Sequence, residues 1–231
     1  MKKRVFPTEL AYVFGLVLVA IGVALMEKAD FGVSMVVAPA YLLYRRLSLV
    51  WSFVTFGMAE YCLQAVLLAA MCLLLRRFRI AWLLSFATAV IYGFVLDGCM
   101  LLAALLPAGG YILRGVWYVL GMLFCSAGVS MMFHTYISPE VYELFVKVVS
   151  GHFGRDINRF KTAYDCVSCA VGLLLSFAFF GLGTFVGVKL GTIFCALING
   201  WIIGRFSKLY EKLWIFEDRF RWRGFFTGGE G

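Results

Sequence analysis

Six apolar segments long enough to cross a bilayer are the feature that most restricts the fold. A hydrocarbon core about 30 Å thick needs roughly 20 apolar residues in a helix. The chain also has a mean hydropathy of +0.91 and only 15% charged residues, too little polar surface for a soluble domain. We therefore expect an all-α, polytopic transmembrane helix bundle. The six segments are approximately Leu10–Met26, Ser52–Leu75, Ile80–Leu106, Ile112–Phe133, Phe160–Phe180 and Leu190–Phe206.

Two shorter segments interrupt this pattern. Ser34–Leu47 contains Pro39, and Ser138–Val149 contains Glu140 and Glu143. Neither is long enough to span the hydrocarbon core. We expect either broken, re-entrant half-helices that dip into the membrane, or interfacial helices that lie flat on it.

A repeated sequence divides the chain into halves. Gly15–Met26 reads GLVLVAIGVALM and Gly121–Met132 reads GMLFCSAGVSMM, so two glycines, a valine and a methionine match at one offset. Each copy is followed by one of the short segments, and SFATAVIYGF later matches TIFCALINGW. This indicates an internal duplication. Because the first copy has an internal counterpart, we interpret it as a membrane span and not as a cleaved signal peptide.

The basic residues predict the orientation. If the short segments do not cross, most Lys and Arg clusters lie on one side of the membrane, and only Arg45-Arg46, Arg114 and Lys189 lie opposite. The positive-inside rule makes that side cytoplasmic, with both termini on it. Each half then contributes three spans, so the second half enters the membrane from the opposite side. Two inverted three-span repeats are the expected result.

We expect the chain to divide into a first membrane repeat (1–110), a second membrane repeat (111–206) and a cytoplasmic tail (207–231). Apolar residues recur at helical spacing from Phe206 to Phe220, with Lys and Arg between them. This pattern predicts an amphipathic helix lying in the cytoplasmic interface. Trp214 and Trp222 suit that depth.

Few ionisable or amide side chains lie inside the apolar segments, where a charge costs about 2.5 to 3.5 kcal/mol. Glu60 and Gln64 share one face of the second span, and Asp165 and Asn199 lie in the fifth and sixth. In one interpretation, Glu60 and Asp165 occupy similar places in the two halves and face each other as a proton- or cation-binding pair. In the other, Asp165 pairs with Lys161 near the cytoplasmic boundary and Glu60 packs near the outer interface.

The short segments supply further candidates. Ser34 and Ser138 each precede a helical pattern and are expected N-caps, with Pro139 at the first helical position. A helix start of this kind attracts anions, although ordinary capping without a ligand is the alternative. The candidate substrate- or ion-binding residues are therefore Asp165, Glu60, Gln64, Asn199, Ser34, Pro39, Ser138, Pro139, Glu140 and Glu143.

Other chemistries are not supported. Cys166 and Cys169 form a C-x-x-C, but a zinc site needs four ligands and the two histidines, His134 and His152, are isolated. No nucleophile–base motif or phosphate-binding loop is present. We expect no metal, no cofactor and no enzymatic activity. The net charge of +8 comes from short clusters beside apolar segments, which excludes a nucleic-acid surface.

The chain resembles the YczE/YitT-type integral membrane proteins. The resemblance lies in GVALMEKADFGVSMVVAPAYLLYRRL, FGMAEYCLQAVLLAAMCLLLRRFR, TYISPEVYELFVKVVSGHFGRDINRFKTAYD and VGVKLGTIFCALINGWIIGRF. It implies a bacterial cytoplasmic-membrane protein with duplicated halves. Many relatives resemble G-x-G-P-W-D at the first short segment, where this chain has the residues of Gly32–Val37 and no acid. Asp165 matches an acidic position of the family.

These features favour a small secondary transporter or exporter of an unidentified small molecule, proton-coupled in one version, with its site between the inverted halves. The alternative is a non-transporting accessory or scaffolding protein for a membrane-associated or biosynthetic enzyme. The expected partners are the lipid bilayer, a small-molecule substrate and, as one option, a second copy of the chain.

Overall fold

The computed structural model describes residues 4–51, 53–54, 56–107 and 109–220. Over these residues the helices follow the order long, short, long, long, and this order occurs twice. The helices are α1 Thr8–Ala29, α2 Ala38–Leu47, α3 Phe56–Leu75, α4 Ile80–Ala104, α5 Tyr111–Phe133, α6 Val141–His152, α7 Ile157–Phe180 and α8 Leu190–Leu213. Two short strands, β1 Arg4–Pro7 and β2 Trp214–Glu217, flank them.

The six long helices coincide with the six predicted segments and confirm the all-α bundle. All six are long and apolar enough to cross a bilayer, so by length and composition this is a multi-pass membrane protein. The helices α2 and α6 have 10 and 12 residues. At 1.5 Å per residue they are about 15 and 18 Å long, too short to cross.

The two copies of the repeated sequence pack directly against each other. A Cβ atom on Gly22 would lie 2.6 Å from the carbonyl oxygen of Gly121, and one on Gly15 would lie 2.9 Å from that of Gly128. Contacts between an early residue of α1 and a late residue of α5 mean that the two helices run antiparallel. Only glycine allows the backbones to approach this closely.

The bundle has two ends. On one, called here the termini face, β1 pairs in parallel with β2, and the stacked rings of His134 and Phe216 join the end of α5 to β2. On the other, called the Asp30 face, α1 ends while α5 and α8 begin. Arg114 and Lys189 both bind the Asp30 carboxylate there, at 2.7 and 2.5 Å. The described chain ends therefore lie on the same face.

Contacts between helices occur in matched sets. Helix α2 packs on α3 and α7, and α6 packs on α7 and α3; α1 packs on α4 as α5 packs on α8. Each of these contacts in one half has a counterpart in the other half.

The tail differs from the predicted amphipathic helix. The sequence predicts one helix over Phe206–Phe220, but α8 continues without a break to Leu213 and the chain then becomes the strand β2. The reason is a partner distant in sequence: β1 pairs with Trp214–Glu217, and Phe6 stacks on Trp214 with ring centroids 4.9 Å apart. Residues 1–3 and 221–231, including Trp222, lie outside the described residues.

Candidate functional site

A small cavity of about 40 Å³ lies where the two halves meet. Residues of α1, α4, α5, α6, α7 and α8 line it, together with the chain that leads into α2. Its polar lining residues are Ser34, Tyr92, Cys125, Glu140, Tyr142, Glu143, Lys161 and Asn199. We call it the central cavity. Four predicted site residues, Ser34, Glu140, Glu143 and Asn199, are thereby brought together.

Backbone geometry around Gly32 carries the α2 segment inward. Gly32 has a φ of +119°, and a Cβ there would lie 2.2 Å from Thr192 Oγ1, so glycine is required for two independent reasons. Thr192 Oγ1 donates a 2.8 Å hydrogen bond to the carbonyl of Val33, which fixes the segment to the start of α8. Ser34 consequently reaches the central cavity.

The predicted cap at Ser34 is wrong. The N-cap of α2 is Val37, and the carbonyl of Ser34 accepts the backbone N–H groups of Val37 and Ala38 at 3.2 and 3.0 Å. Because both N–H groups bond to the backbone carbonyl of Ser34, this residue forms a turn that precedes the helix, and its side chain does not cap the helix. Pro39 lies in the first turn of α2, where its missing N–H leaves no donor unpaired.

The predicted cap at Ser138 is also wrong. The N-cap of α6 is Glu140, so Pro139 precedes the helix instead of occupying its first position. Thr88 Oγ1 donates a 2.8 Å hydrogen bond to the carbonyl of Ser138, and Tyr12 donates to Thr88 Oγ1 at 2.8 Å. These contacts hold the segment extended, a conformation that the residue before a proline favours.

Lys161 is the centre of a buried ionic chain. Its Nζ lies 2.9 Å from Asp165 Oδ1 and 3.7 Å from Glu143 Oε1. The chain continues through Asn199, whose Nδ2 donates to Asp165 Oδ2 at 3.1 Å, and Ser126, which donates to Asn199 Oδ1 at 2.7 Å. Lys161 is 1% and Asp165 0% exposed. One continuous polar chain thus links α5, α8, α7 and α6.

Glu60 is bound by Tyr142 and not by Asp165, the partner that the first interpretation proposed. Tyr142 donates a 2.6 Å hydrogen bond to Glu60 Oε2, which joins α3 to α6. Glu60 and Asp165 therefore do not form a direct pair. The predicted pairing of Asp165 with Lys161 is confirmed, but in the bundle core and not at a boundary. Gln64 is 2% exposed on the same helix as Glu60.

Glu140 is a buried acid whose carboxyl group has no hydrogen-bond donor among the described residues. The residue is 5% exposed and lines the central cavity, and among the described residues no hydrogen bond reaches its carboxyl oxygens. A buried carboxylate without a donor is costly. Binding a proton or a small cation in the cavity removes that cost.

The charge balance of the cluster points to the same chemistry. Four carboxyl groups, those of Glu60, Glu140, Glu143 and Asp165, are buried within reach of one another, and Lys161 is the only buried cation among the described residues. Four ionised carboxylates and one ammonium would leave a net charge of −3 in an apolar surrounding. Such a charge is not tolerated without bound protons or cations.

Two larger cavities lead from the Asp30 face toward the centre. One, of about 260 Å³, shares Val23, Ser34 and Val37 with the central cavity. The next, of about 240 Å³, shares Glu27, Val33 and Tyr41 with the first. Asp97 lines the first of these cavities. Together we call them the entry cavities.

The approach from the termini face is filled by side chains. Thr135, Tyr136 and Ser138 are 3, 8 and 5% exposed. Tyr136 donates a 2.8 Å hydrogen bond to Glu9 Oε1, which closes α1 against the chain leading into α6. The structure is thus open toward the Asp30 face and packed toward the termini face.

Asp30 ties three helices together at the mouth of the entry cavities. The hydrogen bond from Lys189 is the main reason that the pKa of the Asp30 carboxyl lies below its usual range, with Arg114 adding to it against partial burial. The carboxylate is 65% exposed, so solvent weakens these contacts.

Sequence reasoning identified the Lys161–Asp165 pair but not its depth, and it missed Tyr142. The pair was placed near the membrane boundary because the apolar run begins at Phe160; the helix in fact starts at Ile157, after Asp156 accepts the backbone N–H of Arg159 as N-cap. The spacing of four residues to Asp165 was the signal for the pair. Nothing in the sequence marks Tyr142, since its partner is 82 residues away.

The model of the DUF6198 family, a family of unknown function, matches residues 6–208. The match covers most of the chain, including every helix of both halves up to the last turns of α8. The chain therefore belongs to this family. Searches of curated proteins and of solved structures returned no match.

Proposed function

We propose that this member of the DUF6198 family is a secondary transporter of a small molecule, with its site at the central cavity between two inverted halves. One observation carries the proposal. The N-terminal ends of two non-spanning helices, one from each half, meet at a single buried cavity that also contains Glu140 and Lys161. Short helices that end at a midplane site are a common element of secondary transporters.

The packing of the repeats supports the inverted arrangement. The sequence repeat equates Gly15 with Gly121 and Gly22 with Gly128, so the Gly15–Gly128 contact is the counterpart of the Gly121–Gly22 contact. A pseudo-two-fold axis in the membrane plane produces this antiparallel, self-complementary crossing. Helices α2 and α6 then enter from opposite faces, in keeping with the half-helix interpretation.

The buried charges support coupling to a proton or another small cation. In the proposed cycle, Glu140 takes up the ion from the entry cavities, and Lys161 exchanges partners between Glu143 and Asp165 as the halves rock. Closure of the Asp30 face and opening of the termini face would release the ion and substrate on the other side. The volume of about 40 Å³ suits an ion, and the entry cavities are large enough for an organic substrate.

Flux measurements test the proposal. Purified protein in liposomes with an internal pH dye is given a proton gradient and a panel of small organic cations and anions. We expect at least one compound to move protons with the wild type, and Glu140→Gln to lower that flux about ten-fold or more, equivalent to about 1.4 kcal/mol. Glu217→Gln, on the exposed strand β2, is the matched control and should leave the flux unchanged. Proton movement that is equal in both variants would remove Glu140 from the coupling path.

An accessory role is the second candidate. The termini face carries exposed basic side chains, among them Arg77 and Arg155, which suit an acidic soluble partner. This role predicts co-purification with such a partner and no flux for any compound.

The assignment of the termini face to the cytoplasm and the likeness to the YczE/YitT-type proteins stay predictions. Impermeant labelling of a cysteine at position 155 in intact cells tests the orientation.

A further inference from the structure

A groove at the termini face, lined by different residues from the central cavity, has the chemistry of an anion site. It occupies about 570 Å³ between the first turns of α7 and the last turns of α8. Its lining is mostly charged or polar, with Trp201 as the large apolar member. The lining residues are Asp156, Asn158, Arg159, Thr162, Gly200, Trp201, Gly204, Arg205 and Lys208.

Three cations converge on this groove. Arg159, Arg205 and Lys208 line it against one acid, Asp156, for a net charge of +2 (3 less 1). The Asp156 carboxylate is already engaged as the N-cap of α7, where it accepts the backbone N–H of Arg159 at 2.9 Å. The Asp156 carboxylate is therefore occupied by the backbone at the start of α7. The three cations form no salt bridge among the described residues.

Trp201 places the groove at the lipid boundary. Its side chain is 63% exposed on a membrane-spanning helix, and the guanidinium carbon of Arg205 lies 4.7 Å from the centre of its ring. Tryptophan with an adjacent arginine is typical of the level of the lipid headgroups. Ligand chemistry at that level includes a phosphate group attached to apolar chains.

The wall of the groove contains an unpaired acceptor. Asn158 Oδ1 is buried and has no hydrogen-bond partner among the described residues. The amide lies against Gly204, where a Cβ would be 3.2 Å from Asn158 Nδ2. Because this oxygen has almost no accessible surface, a ligand in the groove does not reach it, and recognition rests on the three cations. A phosphate group supplies the negative charge that balances them.

We infer that the groove binds a glycerophosphate group, with the phosphate held by Arg159, Arg205 and Lys208. The source is either the headgroup of an anionic phospholipid or a soluble glycerol phosphate. Basic pockets between membrane helices are a recurrent form of anionic lipid site. The inference does not depend on transport.

Thermal unfolding of the full chain in detergent tests it. Unfolding midpoints are measured while short-chain phosphatidylglycerol, short-chain phosphatidylcholine or glycerol 3-phosphate is titrated. We expect saturable stabilisation by phosphatidylglycerol and little by phosphatidylcholine. Arg205→Gln/Lys208→Gln should weaken the apparent affinity about 30-fold, while Arg205→Lys should retain most of it.

The matched control is Arg76→Gln/Arg77→Gln, which removes the same charge beyond the end of α3 and should leave the affinity unchanged. Equal affinity for glycerol 3-phosphate and phosphatidylglycerol would assign the groove to a soluble ligand of the same chemistry. Equal losses in both double variants, or equal affinity for the two lipids, would overturn the inference. If the groove variant does not fold, Arg159→Gln is tested in its place with the same expected direction.

Discussion

The N-terminal ends of α2 and α6 reach the same cavity but bring different chemistry to it. The α2 end contributes Ser34, Val36 and Val37, whereas the α6 end contributes Glu140 and Glu143. Their surroundings differ as well, since the α2 side opens into the entry cavities and the α6 side is packed. The order and packing of the helices repeat between the two halves, whereas the polar groups at the cavity do not. The proposed site is therefore asymmetric within a repeated arrangement of helices.

The largest effect on stability is expected at Lys161, which contacts Glu143 on the charged α6 side of the cavity. Lys161→Met leaves Asp165 and Glu143 buried without a cation, so we expect unfolding in detergent to become easier by about 3–5 kcal/mol. Adding Asp165→Asn should recover part of the loss, because one unpaired charge is then removed. Denaturant unfolding of the four members of this double-mutant cycle measures the coupling.

Arg46→Met is the control for that variant. It removes an exposed cation at the far end of α2, and we expect a change within about 0.5 kcal/mol. If both substitutions cost the same, the buried chain around Lys161 does not stabilise the α6 side as described.

Glycines at the crossing of α1 and α5 test the symmetric part of the comparison. Gly22→Ala and Gly128→Ala each force a Cβ against the facing backbone, at 2.6 Å from the Gly121 carbonyl oxygen in the first case and 2.5 Å from the Gly15 carbonyl oxygen in the second. We expect each to cost about 1–3 kcal/mol through overpacking. Because the two positions are equivalent in the repeat, their unfolding free energies should agree within about 0.5 kcal/mol.

Gly98→Ala serves as the control on α4, since nothing lies within 4 Å of a Cβ there. Alanine favours helix over glycine, so this variant should be neutral or more stable by up to about 1 kcal/mol. A large difference between the unfolding free energies of Gly22→Ala and Gly128→Ala would contradict the proposed pseudo-two-fold relation between the halves.

The fold was largely predictable from sequence because each span requires a long apolar run. The six helices appear where those runs lie, and the acids of the second short segment, Glu140 and Glu143, do line the cavity. The partner of Glu143, Lys161, was not predictable. Lys161 stands at the edge of an apolar run, where a lysine normally extends its ammonium to the interface. Contacts such as Tyr142 to Glu60 depend on tertiary packing between elements distant in sequence.

Accessibility tests the difference between the open and the packed side. Ser34→Cys lies at the inner end of the entry cavities, while Ser138→Cys replaces a residue that is 5% exposed. In detergent, we expect a polar maleimide to modify the former about ten-fold faster, a difference of about 1.4 kcal/mol. The wild type, with its seven free cysteines, gives the background rate. Similar rates would mean that both approaches to the cavity open equally often.

The smallest effect is expected at Asp30, which closes the rim of the open side. Its pKa is lowered in the folded state, so its contribution is fully present above the unfolded pKa of about 3.9 and is lost as pH falls through the folded value. Asp30→Asn should cost at most about 1 kcal/mol near neutral pH, because the carboxylate is largely exposed. Unfolding midpoints of wild type and variant should converge at acidic pH; a constant difference would exclude the charge as the cause.

The pairing of β1 with β2 has a consequence for how the protein is made. Arg4 is paired with Trp214, so β1 cannot pair with β2 until nearly the whole chain has been synthesised. Ribosomes add about 5–20 residues per second, which leaves β1 without its partner for roughly ten to forty seconds. The strand pair can close only after α8 has been inserted. The pair therefore forms only on a completed chain, and a chain that stops short of Trp214 leaves β1 as an unpaired strand edge that can pair with another chain.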